Sequence, residues 1–152
     1  MKGYDAEKAA RVWERVHATA GVEQDPAREL PALIAGEWTD GATYLHLSRR
    51  FQGREAQLLR KMYQEEQSHA ACLKGIYNLI TGEHVTVKAP PAPVENTETA
   101  LRRCYGSEMR CLAAYEQWSN NREYGPVFAR LVQQEREHCR ILLEILGSMK
   151  RK

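Results

Sequence analysis

The chain has 152 residues, 43% apolar and 28% charged, which suits one domain with a buried core and excludes a disordered chain. A formal charge of +2 gives no electrostatic case for nucleic acid, and the one basic cluster, Lys150-Arg151-Lys152, reads as a solvated tail. No apolar run approaches the ~20 residues that span a bilayer, and Met1-Lys2-Gly3-Tyr4-Asp5 lacks a signal-peptide core, so no membrane partner and a cytoplasmic location are expected.

Residues 5–20 predict a short amphipathic helix, with Val12, Trp13 and Val16 on one side and Arg11, Glu14 and Arg15 on the other. A lid or a dimer contact would suit it. Gly21 can end it, and Asp25-Pro26 offers a cap followed by proline at a first helical position. Pro31 is awkward for a continuous helix, so the first long helix either begins there or kinks there. The division expected is an N-terminal helix and linker over residues 1–29, then a helical bundle over residues 30–152.

From about Pro31 to Arg50, the residues Leu30, Ile34, Glu37, Gly41, Tyr44, Ser48 and Phe51 share one face, so a carboxylate interrupts an otherwise inward stripe. After a break at Gln52-Gly53, a second helix runs from about Arg54 to Thr81 and stops at Gly82. Its stripe of Leu59, Met62, Leu73, Ile76 and Ile80 also carries Glu66 and His69. Pro90, Pro91 and Pro93 then exclude a helix between Gly82 and Glu95. Roughly 14 extended residues reach about 46 Å, against ~36 Å for a 24-residue helix, so this segment can cross from one end of a bundle to the other.

Asn96 is placed to cap a third helix, about Thr97 to Ser119, with Leu101, Cys104, Glu108, Cys111, Leu112, Tyr115 and Trp118 facing in. A fourth starts near Arg122 or Pro126 and ends at Leu146 before Gly147, with Phe128, Leu131, Glu135, His138, Leu142 and Ile145 on its stripe. The four cysteines, Cys72, Cys104, Cys111 and Cys139, lie apart in these helices without CxxC spacing. That argues against a disulfide framework and for reduced thiols, mostly buried.

Two segments repeat. Glu66-Gln67-Ser68-His69 and Glu135-Arg136-Glu137-His138 stand 69 residues apart, and Glu37 with Tyr44 corresponds to Glu108 with Tyr115, 71 residues apart. Residues three apart share a helix face, so each Glu-x-x-His aims a carboxylate and an imidazole the same way. Counted from the breaks between helices at ~1.5 Å per residue, Glu37 and Glu66 stand at one height, as do Glu108 and Glu135. Four carboxylates and two imidazoles can therefore meet inside a bundle. An unpaired buried charge costs several kcal/mol, and two divalent cations would neutralise the four carboxylates. One Glu from each of two helices plus Glu-x-x-His from each of the other two is the ligand set of a di-iron or di-manganese carboxylate bundle.

On these residues the chain resembles the ferritin-like superfamily, most closely its rubrerythrin branch, over about residues 30–147. The resemblance implies an all-α antiparallel four-helix bundle with one long crossover between helices two and three. It implies an oxygen-bridged di-iron centre held by Glu37, Glu66, His69, Glu108, Glu135 and His138, with Tyr44 and Tyr115 beside the ligands. It implies reaction with peroxide or dioxygen, in a homodimer. Rubrerythrins add a rubredoxin domain with four cysteine ligands, and no CxxC motif occurs here, so electrons are expected from a separate donor protein. They also carry an extra Glu three residues after the third-helix ligand, where this chain has Cys111. The matching position of the first helix holds Asp40, which reads either as a seventh ligand or as a residue facing solvent or an adjacent helix.

The function expected first is peroxide reduction by a di-iron oxidoreductase. Ferroxidase activity in iron handling and hydroxylation by a di-iron oxygenase use the same ligands, and manganese accepts the same oxygen and nitrogen donors as iron. A metal-free interaction protein would leave the six core polar groups uncompensated.

Overall fold

A computed structural model describes residues 25–151; the helix expected over residues 5–20, and His17 within it, lie outside the described residues. Four helices follow in order, α1 (Pro26–Ser48), α2 (Gly53–Thr81), α3 (Thr97–Trp118) and α4 (Gly125–Met149). The described residues contain no strand, and no helix among them is long and apolar enough to cross a membrane.

Capping explains where the helices start. Asp25 accepts a hydrogen bond from the Ala27 amide at 3.0 Å, and Pro26 occupies the first helical position, where its missing N–H costs nothing. That pair starts α1 early, so the helix runs through Pro31 instead of beginning at it. Only the bond from position 31 to the Ala27 carbonyl is given up, and this lies in the second turn of a 23-residue helix. Asn96 caps α3 by accepting from the Thr99 amide at 2.8 Å. Gly82 ends α2 in the left-handed conformation, φ 74°, and donates its N–H to the Asn78 carbonyl. Gly147 does not end α4, which continues to Met149. A glycine inside a helix costs about 1 kcal/mol relative to alanine, and the packing of Ile145 and Leu146 into the core outweighs it.

Helix α1 packs along α2 and helix α3 along α4, and the pairs meet through α1 with α3 and α2 with α4. Across α1 and α3, Glu37 pairs with Tyr115 and Tyr44 with Glu108. Across α2 and α4, Arg54 pairs with Glu144 at 3.0 Å, Glu65 with His138 at 2.8 Å and His69 with Gln134 at 2.9 Å. The Arg50 guanidinium, just past α1, donates to the Pro93 and Glu95 carbonyls and to the Thr97 hydroxyl at the start of α3. That clasp fixes the end of the proline segment.

The core falls into two apolar clusters. One holds Leu47, Leu59, Met62, Leu101, Ile141 and Ile145 among others, the second Leu30, Ile34, Leu73, Trp118, Phe128 and Leu131. In sequence the residues Glu37, Glu66, Glu108 and Glu135 come between the contributions of each helix to the two clusters, so a polar layer separates them. Ile80, expected on the inward stripe of α2, is 38% exposed because it lies in the last turn, beyond the reach of the second cluster.

Candidate metal centre

Every ligand expected from the repeat is buried. Glu37, Glu66, His69, Glu108, Glu135 and His138 are each no more than 2% exposed. They form two overlapping groups, Glu37, Glu66, His69 and Glu135 in one, Glu66, Glu108, Glu135 and His138 in the other. Within each group one ligand atom per residue lies within 4.8 Å of the rest, close enough to surround a single ion. Glu66 and Glu135 belong to both groups. Each therefore has one oxygen for each position, while Glu37 with His69 and Glu108 with His138 serve one position apiece.

Close packing of the helices sets this spacing. A Cβ added at Gly41 of α1 would lie 3.0 Å from the Glu66 Cβ, so any larger residue would press on the shared carboxylate and push α1 from α2 by a few tenths of an ångström. The histidine rings stack with centroids 5.6 Å apart.

Both imidazoles are oriented from outside. The Nε2 of His69 lies 2.9 Å from the Gln134 carbonyl oxygen, and that of His138 lies 2.8 Å from a Glu65 carboxylate oxygen. Those oxygens accept, so each Nε2 carries hydrogen and each Nδ1 faces the cluster. From His69 Nδ1 to Glu135, Glu66 and Glu37 the distances are 2.9, 3.3 and 3.4 Å. From His138 Nδ1 to Glu66, Glu135 and Glu108 they are 2.8, 3.4 and 3.5 Å. The two tyrosines act crosswise: Tyr44 of the first hairpin donates to Glu108 of the second, and Tyr115 of the second donates to Glu37 of the first.

Without a cation the layer is held by protons. Burial raises Glu66 and Glu135 well above the usual carboxylate range, and the neighbouring carboxylates push the same way. Burial also opposes ionisation of Glu37, but the adjacent Glu66 carboxyl, the His69 imidazole and the Tyr115 hydroxyl outweigh it and hold Glu37 low. Glu108 is likewise drawn down to about 2 against its burial, through Glu135 and His138. Burial works against charge on the imidazoles, yet the carboxylates around them win and raise both His69 and His138 above the ordinary value.

The fit to metal is tested by the atoms left without hydrogen-bond partners. Among the described residues these are both oxygens of Glu66, both oxygens of Glu135, Nδ1 of His69, Nδ1 of His138 and, away from the layer, Nε1 of Trp118. Buried polar atoms are normally paired, so six orphans converging on one layer mark a place for ligands the protein does not itself supply. Carboxylate oxygens and imidazole nitrogens suit iron, manganese or zinc.

Asp40 belongs to neither group. It is 4% exposed and accepts a hydrogen bond from the Ser107 hydroxyl, so of the alternatives left by the sequence it faces the adjacent helix α3. Burial pushes its carboxyl up to about 7, Ser107 works against that, and the charges of Glu108 and Glu37 add to it. Cys111 is a buried thiol that burial pushes up further, which suits the small core residue expected there. His46 is half-buried and His84 exposed, both apart from the cluster.

Glu65 and Gln134 are the contacts that residue spacing alone did not single out. Each directly precedes a shared glutamate, Glu66 or Glu135, and that repeated position was the available signal.

Compared with known protein families, with curated proteins and with solved structures, the chain gives no match.

Proposed function

We propose that the chain is a di-iron oxidoreductase, rubrerythrin-like within the ferritin-like superfamily, that reduces peroxide with electrons from a separate donor protein. The observation that carries this reading is the sharing of Glu66 and Glu135 between two ligand groups, with both oxygens of each left unpaired. The residue pairings between helices and the clasp of Arg50 on the proline segment support the antiparallel ferritin-like arrangement with its long crossover. A cytoplasmic homodimer belongs to the same reading.

Glu37, Glu66, His69, Glu108, Glu135 and His138 would hold two ferrous ions, and the chemistry these would supply is the two-electron reduction of an oxidant. Residues of the chain do the rest. Glu66 and Glu135 hold the two positions at one spacing, and Tyr44 and Tyr115 each fix one oxygen, of Glu108 and Glu37 respectively. Gln134 and Glu65 keep the Nδ1 lone pairs of His69 and His138 on the cluster. Reduction of peroxide to water also consumes two protons, and the Asp40 carboxyl, pushed up to about 7, holds one close to the layer near neutral pH.

The test is metal content on anaerobically purified protein, followed by absorbance after stoichiometric peroxide or dioxygen. About two irons per chain, oxidised faster by peroxide, are expected. His138→Ala is expected to abolish peroxide turnover while helical circular dichroism is retained. A chain that binds no metal, or a His138→Ala variant with full turnover, would overturn the proposal. Two irons that prefer dioxygen would replace it with ferroxidase or hydroxylase chemistry.

A further inference from the structure

The two metal positions match in the residues that face the ions and differ at the outer nitrogens of the histidines. Each has a terminal glutamate whose oxygen accepts from a tyrosine of the other hairpin, one imidazole Nδ1, and one oxygen from each of Glu66 and Glu135. Glu65 and Gln134 occupy the same place in the two repeats, and each reaches across to the histidine of the opposite helix. There the match ends. His138 donates to a carboxylate, His69 to a neutral amide.

The difference has a direction. A carboxylate draws on the imidazole proton more strongly than an amide does, which raises electron density at Nδ1 and makes it the better donor to a cation. It also adds a negative charge beside one position and not the other. Lys61 does not cancel this: its ammonium lies 3.6 Å from the other oxygen of Glu65 and is 61% exposed, where water and salt screen it.

We propose that the two positions are unequal, so that the ion held by Glu108 and His138 binds first and more tightly and the ion held by Glu37 and His69 binds second. Glu65 and Gln134 are the positioning residues that set this order. The proposal rests on the di-metal reading above. It makes the His69 position the exchangeable one, which empties first as metal becomes scarce.

The experiment is an anaerobic titration with Co(II), which stands in for Fe(II) without reacting, followed by calorimetry and by the hyperfine-shifted imidazole N–H signals of the two histidines. The wild-type chain is expected to fill in two steps separated by about tenfold or more in affinity, with the His138 signal first, since partners behind a ligating histidine typically change affinity by 10–100-fold. Glu65→Gln should weaken the first step by about tenfold. Gln134→Glu should strengthen the second by about tenfold, a gain that misfolding cannot produce. The double exchange Glu65→Gln with Gln134→Glu should reverse the order in which the histidine signals appear. Two equal steps that neither single variant changes, or a His69 signal that appears first in the wild type, would overturn the inference and leave the di-metal reading standing. Failure of the wild type to bind Co(II) at all would overturn both.

Discussion

At one end of the bundle Phe128 lies with its ring 5.2 Å from Trp118 and 6.0 Å from Tyr115, and the cluster around it is closed by Leu30, Ile34, Leu73 and Leu131. Two turns further along α4, Glu135 is as deeply buried as Phe128, yet both of its oxygens lack a hydrogen-bond partner. Apart from the unpartnered Nε1 of Trp118, the aromatic cluster is complete within the chain, because packing needs only neighbours of the right shape. The glutamate layer is incomplete within the chain, because burial takes water from four carboxyl groups and returns two imidazoles and two tyrosine hydroxyls, which leave Glu66 and Glu135 without partners. The ends of the bundle fold the protein; the middle draws on that stability and has the groups to hold a cation.

The comparison breaks most visibly at Phe128. Phe128→Ala should cost about 3–5 kcal/mol in urea unfolding, by the same amount with and without metal. A loss that vanished on metal addition would mean that the aromatic end is not independent of the layer.

A smaller effect should come from pH, on the order of several degrees in Tm. Protons on Glu66, Glu135, His69 and His138 are held more tightly in the folded chain than in the unfolded one. Such groups contribute stability that is full below their unfolded pKa, about 4.3 for Glu and about 6.5 for His, and that is lost as pH rises towards the folded value. Glu37 and Glu108 shift the other way, but their contribution is complete above their unfolded value and constant from there. Between about pH 6 and pH 9, then, the metal-free chain should lose Tm as pH rises. Divalent cations displace the same protons, so the increment in Tm that metal confers should grow over that range. Equal slopes in EDTA and in metal would show that the layer does not exchange protons for cations.

The smallest change should follow Tyr115→Phe. Loss of the hydroxyl that Glu37 accepts should lower the stability of the metal-free chain by about 1 kcal/mol. It should also loosen the position held by Glu37 and His69, read as weaker binding of one of two Co(II) ions. An unchanged titration would place Tyr115 with the aromatic end of the bundle alone.

The ligands were legible because a helix converts spacing into direction. Glu66 with His69 and Glu135 with His138 had to share faces, and Glu37 and Glu108 fell at matching heights on stripes that were otherwise mostly apolar. The capping roles of Gly82 and Asn96 were legible for the same local reason. What spacing did not carry was the choice of partner across helices. That Tyr44 would bind Glu108, and not a group of its own hairpin, depends on α1 lying against α3. Asp40 was open between solvent, metal and a neighbouring helix until Ser107 was seen beside it. Pro31 left a start and a kink open, and the cap at Asp25 carries the helix through it; Gly147 is a weak stop that core packing at Ile145 and Leu146 overrides.

The crossed contacts have a consequence for how such a molecule can be built. Each hairpin, α1 with α2 or α3 with α4, contributes one terminal glutamate, one shared glutamate, one histidine and one tyrosine, and every brace reaches from one hairpin to the other. A two-helix chain paired with its own copy about a twofold axis could present the same six ligands, but it would be bound to place the same residue behind both histidines. Joining the hairpins through the proline segment removes that constraint. Covalent linkage is what lets Glu65 stand on one side and Gln134 on the other, so the join between the halves confers individuality on two otherwise equivalent seats.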